Sequence, residues 1–234
     1  MTKQFEPPGL PAQRRGITPG MVGRYPDFDV LEQAENWDEV TRELVLDRVA
    51  RIPEIRFFNV REAATLGALC DQLSGQVGEE PKIPVLNYVD EKLFEGNLDG
   101  YRYFDMPDDR DTWRVVARGL DEEARKLGTE SFALLSDEQQ RTLCHRFAHA
   151  ELYGGSWATL NVVRAFSVLT RHICAQFYAH PWSWNEIGFG GPAYPRGYIR
   201  FGSPHLANAE TEAWEGREAY ELDPVRDTKE RELE

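Results

Sequence analysis

The sequence predicts an all-α protein: an irregular helical bundle with an extended N-terminal arm, an aromatic Gly/Pro-rich loop toward the C-terminal end and an acidic tail. Three observations carry that prediction. Apolar side chains return at helical spacing in one segment after another. Several segments open on an Asn or Ser followed three residues later by Glu or Gln, a pattern in which side chain and backbone cap each other. Prolines and glycines fall at the segment ends. At 234 residues the chain is long enough to bury one good-sized core. It divides into an arm over 1–29, a helical domain over 30–201 and a tail over 202–234.

Residues 1–29 are rich in Pro and Gly and poor in aliphatic side chains, which predicts an arm without regular structure. From Val30 to Val49, Leu31, Ala34, Trp37, Val40, Leu44 and Val45 share a stripe, and Asn36 with Glu39 is expected to start a fresh helix within it. Ile55–Phe58 is short and extended. Asn59 and Glu62 then cap a helix to about Ser74 that turns Ala63, Leu66, Leu69, Cys70 and Leu73 inward. Pro84 opens a helix with Val85, Tyr88, Val89 and Leu93 on one face, ending near Gly96. Pro107 opens another to about Leu127, with Trp113, Val116, Leu120 and Ala124 inward and Asp108, Asp109 and Asp111 at its positive end. Ser136 and Gln139 cap the next, which carries Leu143, Cys144, Phe147 and Leu152 and ends at Gly154 and Gly155. The longest apolar run, Trp157 to Tyr178, reads as the central helix, with Leu160, Val163, Phe166, Leu169, Ile173 and Phe177 in one stripe.

Charge and composition exclude several functions. With 27 basic and 40 acidic residues the net charge is −13, so no basic face offers itself to a phosphate backbone and nucleic acid is not an expected partner. No apolar stretch is long enough to span a bilayer. Cys70, Cys144 and Cys174 lie far apart without zinc spacing and read as buried thiols. Arg14 and Arg15 form a twin arginine, but no apolar segment or small-residue cleavage site follows, so the expected location is cytoplasmic.

The segment 177–198, FYAHPWSWNEIGFGGPAYPRGY, mixes large aromatics with glycine and proline in a way that suits neither helix nor strand, and is expected to be an ordered loop. Its aromatics can close over the chain's own core or, with Arg196, anchor a partner. The pattern made by Trp184, Ile187, Gly188, Phe189, Gly191, Pro192, Tyr194, Pro195, Arg196, Gly197 and Tyr198 resembles the C-terminal signature of the gluconate 2-dehydrogenase subunit 3 family. A weaker resemblance extends to residues 57–73. Twin-arginine export, common in relatives, is the point of departure. The resemblance implies a non-catalytic small subunit that accompanies an FAD-dependent catalytic subunit of the glucose-methanol-choline (GMC) type, oxidising sugars, glycosides or polyols. The residues that it points to as partner interface are Trp182, Trp184, Asn185, Glu186, Gly188, Phe189, Gly191, Pro192, Tyr194, Pro195, Arg196 and Tyr198.

The chain's own chemistry is sparse. Gly188, Gly190 and Gly191 do not form a dinucleotide-binding glycine motif, and Pro192 would spoil a helix start there, so FAD is expected in the partner and no cofactor or metal in this chain. His145 and His149 are four apart on one helix with Glu151 nearby, but Arg146 stands where a zinc protease motif needs glutamate; packing or surface roles fit them better. His180 is expected to cap the central helix or to bond a backbone carbonyl, and Glu186 is the one acid in the signature. Two alternatives remain: a stand-alone helical metal-dependent enzyme using His145, His149 or His180 with Glu186, and a transient assembly chaperone for the dehydrogenase.

Overall fold

The computed structural model describes residues 29–100, 102–187 and 189–192, together with the backbone of 17–18 and 21–22. The fold is all-α, with helices α1 (Glu39–Ala50), α2 (Val60–Ser74), α3 (Val85–Glu95), α4 (Asp109–Lys126), α5 (Asp137–Ala148), α6 (Val162–Tyr178) and α7 (Pro181–Ile187). Single 3-10 segments cover Val30–Asn36, Phe132–Leu134 and Gly155–Thr159. The β structure among the described residues is one antiparallel pair within the expected arm, β1 (Ile17–Thr18) with β2 (Met21–Val22). The rest of the arm, and the tail over 202–234, lie outside the described residues.

The chain forms two compact units, one of residues 51–179 and one that joins residues before 51 to residues from 180 on. In the first, α2 and α6 each pack against α3, α4 and α5 as well as against each other. The caps form as expected. Asn59 and Glu62 exchange hydrogen bonds in a complete capping box, as do Ser136 and Gln139, and Asp108 accepts from the Asp111 N–H at the start of α4. Gly75 and Gly96 adopt the left-handed conformation that ends α2 and α3. Trp113, Val116, Leu120 and Ala124 on α4 are fully buried.

Two buried carboxylates tie loops to this bundle. Asp90 on α3 accepts from the backbone N–H groups of Arg56, Phe57 and Phe58, which fixes the extended lead-in to α2. Asp121 on α4 accepts from Thr65 Oγ, Arg61 Nε and the Phe132 N–H. Burial pushes the Asp121 pKa up, but these donors outweigh it and hold the carboxyl below its ordinary value.

Five expectations are corrected. Asp38, not Asn36, caps α1: it accepts from the Thr41 N–H, while Asn36 donates to Gln33. The break at Trp37 shifts the stripe, so Val45 and Val49 are buried whereas Val40 and Leu44 are exposed. Helix α5 stops at Ala148, well before the glycines, with Ala150 in a left-handed turn at φ 56°. The run 157–178 is not one helix: Trp157 lies against Gly119 of α4, where an added Cβ would stand 2.6 Å from its ring, and Asn161 then caps α6 afresh. The buried face of α6 is accordingly Ala165, Val168, Leu169, His172, Ile173 and Phe177, and Val163 is exposed. Finally, part of the expected loop is helical, as α7. Pro181 occupies its first position, where a missing N–H costs nothing.

Replacing Asp90 with Ala strands three backbone N–H groups. It is expected to lower the unfolding free energy by about 3 kcal/mol in urea melts, with Asp90→Asn losing less because its amide oxygen still accepts.

Candidate functional site

Two constellations stand out, one in each unit. The first surrounds α7 and holds the described part of the aromatic signature. Helix α7 packs against α1 and against the 3-10 segment Val30–Asn36. Asn185 Oδ1 accepts from the Val30 N–H at 2.8 Å, and its amide donates to Asp29 at 3.3 Å. Trp182 and Trp184 are buried, and Trp184 meets Phe189 edge to face with ring centroids 5.4 Å apart. Glu186 and Pro192 are half-buried. Gly191 is buried at φ 83°, and an added Cβ would come within 2.8 Å of the Trp37 ring and 2.9 Å of Val30. Gly188, Tyr194, Pro195, Arg196, Gly197 and Tyr198 lie outside the described residues.

His180 is the hinge pin of this arrangement. Its Nδ1 accepts from the Trp182 N–H at 3.2 Å, which makes it the N-cap of α7, not of α6 as expected. Its backbone carbonyl accepts from both the N–H and the hydroxyl of Ser183. Because Nδ1 accepts, the neutral ring carries its proton on Nε2. Burial presses the imidazole pKa down to about 4, against the pull of the Arg48 backbone and with a smaller push from the Arg48 charge.

The second constellation was not visible in the sequence. His172 on α6 is 1% exposed and accepts at Nδ1 from the indole N–H of Trp113 on α4, at 3.1 Å with the two rings 12° from parallel. Its Nε2 faces Asp99 at 3.3 Å and Asp109 at 3.6 Å. Lys92 and Arg171 also pair with Asp99, at 2.6 and 2.8 Å. A cleft lined by Arg102, Tyr103, Met106, Pro107, Asp109, Val168 and Arg171 opens beside this cluster. Burial and the Lys92 cation lower the His172 pKa, against Asp109 and Asp99.

Among the described residues, Asp99, Asp109 and His172 are the group close enough to share a metal ion. Their donor chemistry fits one badly. An indole N–H has no lone pair to give, so Nδ1 must accept and Nε2 must keep its proton, leaving no free nitrogen facing the carboxylates. Asp99 is already shared by two cations. The residues named from sequence as metal candidates sit elsewhere: the exposed rings of His145 and His149 stack at 4.2 Å, and His149 Nδ1 lies 2.9 Å from the His145 carbonyl. A signal for His172 was present, since it falls on the apolar face beside Leu169 and Ile173. Nothing in the sequence paired it with Trp113.

The thiols are unpaired as disulfides, with Cys70 and Cys144 buried and Cys174 half-buried. Burial raises the pKa of all three. No helix among the described residues is long and apolar enough to cross a membrane.

Fold and sites together define an all-α protein with two buried histidines, His172 and His180, whose pKa values burial lowers. Over residues 60–191 the chain matches the family described as gluconate 2-dehydrogenase subunit 3. The match runs from the first residue of α2 to Gly191 and takes in more than half of the sequence, so the chain belongs to that family. Neither a curated protein nor a solved structure matches it.

Gly191→Ala is expected to destabilise the protein by about 2 kcal/mol or more in urea unfolding, since it adds both left-handed strain and a clash with Trp37. Gly128→Ala, at φ 82° with open space around it, tests the strain alone and is expected to lose about half as much.

Proposed function

We propose that this chain is the non-catalytic small subunit of an FAD-dependent, GMC-type oxidoreductase that acts on sugars, glycosides or polyols. The observation that carries the reading is family membership: a subunit 3 family implies a catalytic partner, and the match extends through α7 to Gly191. In this reading the chain holds neither FAD nor a metal. FAD belongs to the partner, which carries out the hydride transfer, and this chain binds and stabilises it.

The proposed interface residues differ in burial. Trp182, Trp184 and Gly191 are buried in the chain itself, so they act by shaping α7 and the turn after it. Asn185, Glu186, Phe189 and Pro192 are half-buried and retain surface to offer. Tyr194, Pro195, Arg196 and Tyr198 continue the same signature and are the anchors that we assign to the partner, with the aromatic and arginine chemistry that such contacts favour. Phe104 is a further apolar group in need of cover: it is 94% exposed, with the Arg164 guanidinium 5.5 Å from its ring centroid. The same reading places the complex in the cytoplasm unless the partner carries it elsewhere.

Affinity purification of the tagged chain from its native cells is expected to bring down a larger polypeptide and a flavin absorbance spectrum. Tyr194→Ala is expected to weaken that association by about 2 kcal/mol while leaving the melting of the free chain unchanged. A colourless eluate containing this chain alone would overturn the proposal.

A further inference from the structure

We propose that Phe104, held outward by Arg164, anchors this chain in an apolar pocket of the flavin-bearing partner, with a carboxylate at the pocket edge to meet Arg102. The inference rests on the function proposed above and adds the surface through which the 51–179 unit meets that partner. Phe104 stands on a tight turn in the connection between α3 and α4, where the Met106 N–H donates to the Tyr103 carbonyl at 3.1 Å. The ends of the turn are tucked in, Tyr103 half-buried and Met106 buried. The ring at its tip is left 94% exposed.

Exposure alone would mean little, since much of any protein surface is apolar. Here polar groups fix the exposed ring in place. The Arg164 guanidinium lies 4.7 Å from the Tyr103 ring centroid and 5.5 Å from that of Phe104, so one cation serves both rings. Arg164 is itself paired with Asp105, the residue after Phe104, and Asp105 also accepts from the Asn161 amide at 3.0 Å. Asn161 caps α6, which ties the turn to the start of that helix. A large ring is thus offered to solvent with its position already set, and that removes part of the ordering that association otherwise costs. Phenylalanine and arginine are also residue types that interface cores favour.

The neighbouring side chains say what kind of surface fits. Val163, beside Arg164 in the first turn of α6, is 61% exposed and adds apolar surface there. The charges near the ring are unequal. Asp105 is matched by Arg164, whereas Arg102 is exposed and makes no ion pair among the described residues. The complement is an apolar pocket with an acidic edge. A second copy of this chain is a poor occupant, because a two-fold contact centred on Phe104 would turn the two Arg102 cations toward each other. It would also join bodies that each carry a net charge of −13. A subunit 3 family implies a different chain as partner, and that chain is the occupant to which the surface is assigned.

The experiment starts from the complex brought down by the tagged full-length chain, held through the tag, and reads the rate at which the flavin-bearing polypeptide dissociates. Phe104→Ala is expected to speed dissociation roughly thirtyfold, the scale of a truncated anchor. The lone Phe104→Ala chain is expected to melt as before, because the ring lies outside the core. Arg102→Glu is expected to speed dissociation several-fold, more at low salt than at high. Arg164→Ala is also expected to speed it, and to add little on top of Phe104→Ala, since Arg164 acts through the ring. Unchanged dissociation in Phe104→Ala would overturn the anchor while leaving the subunit reading intact. A lone Phe104→Ala chain that melts early, or an unsubstituted chain that self-associates through Phe104, would overturn it too. Unchanged dissociation in Arg102→Glu would overturn the acidic edge, and losses that simply add would overturn the role of Arg164. If the unsubstituted chain brings down no flavin-bearing polypeptide, the subunit reading fails and the anchor falls with it.

Discussion

The indole N–H of Trp113 can only donate, and the arrangement of the 51–179 unit follows from where it points. Its bond to His172 Nδ1 joins α4 to α6 inside the core and leaves the imidazole proton on Nε2. That proton faces Asp99 and Asp109, so the chain between α3 and α4 is held against α6, with Lys92 and Arg171 balancing the carboxylates. The cluster is thus a network of hydrogen bonds and ion pairs centred on His172 and Asp99. Asp121 and Asp90 work by the same logic, each satisfying backbone N–H groups of a neighbouring segment from inside the bundle.

The unit that contains α7 repeats the device with different partners. His180 is also fixed by an N–H donor at Nδ1, this time the backbone of Trp182, which leaves the proton of the neutral ring on Nε2. The difference lies in charge. His172 is surrounded by two carboxylates and two cations, whereas the described charge acting on His180 is positive.

Much of the fold was legible because caps and breakers are local. The Asn59/Glu62 and Ser136/Gln139 boxes and the glycines that end α2 and α3 need only a few consecutive residues, and all form. The failures came where a tertiary contact overrode the local pattern. The run 157–178 is apolar throughout, but Gly119 leaves room for Trp157, and the chain turns there before α6 begins. Helix α7 was hidden by its glycine- and proline-rich surroundings, though Pro181 suits a first helical position. The likeness of the signature to the gluconate 2-dehydrogenase subunit 3 family was readable from Trp184 to Tyr198, and the family match bears it out over 60–191. The His172 network joins residues 59 apart in sequence to an acid in a loop, a proximity that no spacing rule discloses.

A small subunit built this way offers a helical body and a signature segment whose helix α7 is capped by His180. The central claim is that catalysis resides in a partner that needs this chain. Its most direct test is to express the flavin-bearing partner with and without the chain and to measure dye-coupled oxidation of sugars and polyols. The account predicts no turnover by this chain alone, and soluble, flavin-loaded, active partner only when the two are made together. Turnover by the lone chain, or a partner equally active without it, would contradict the account.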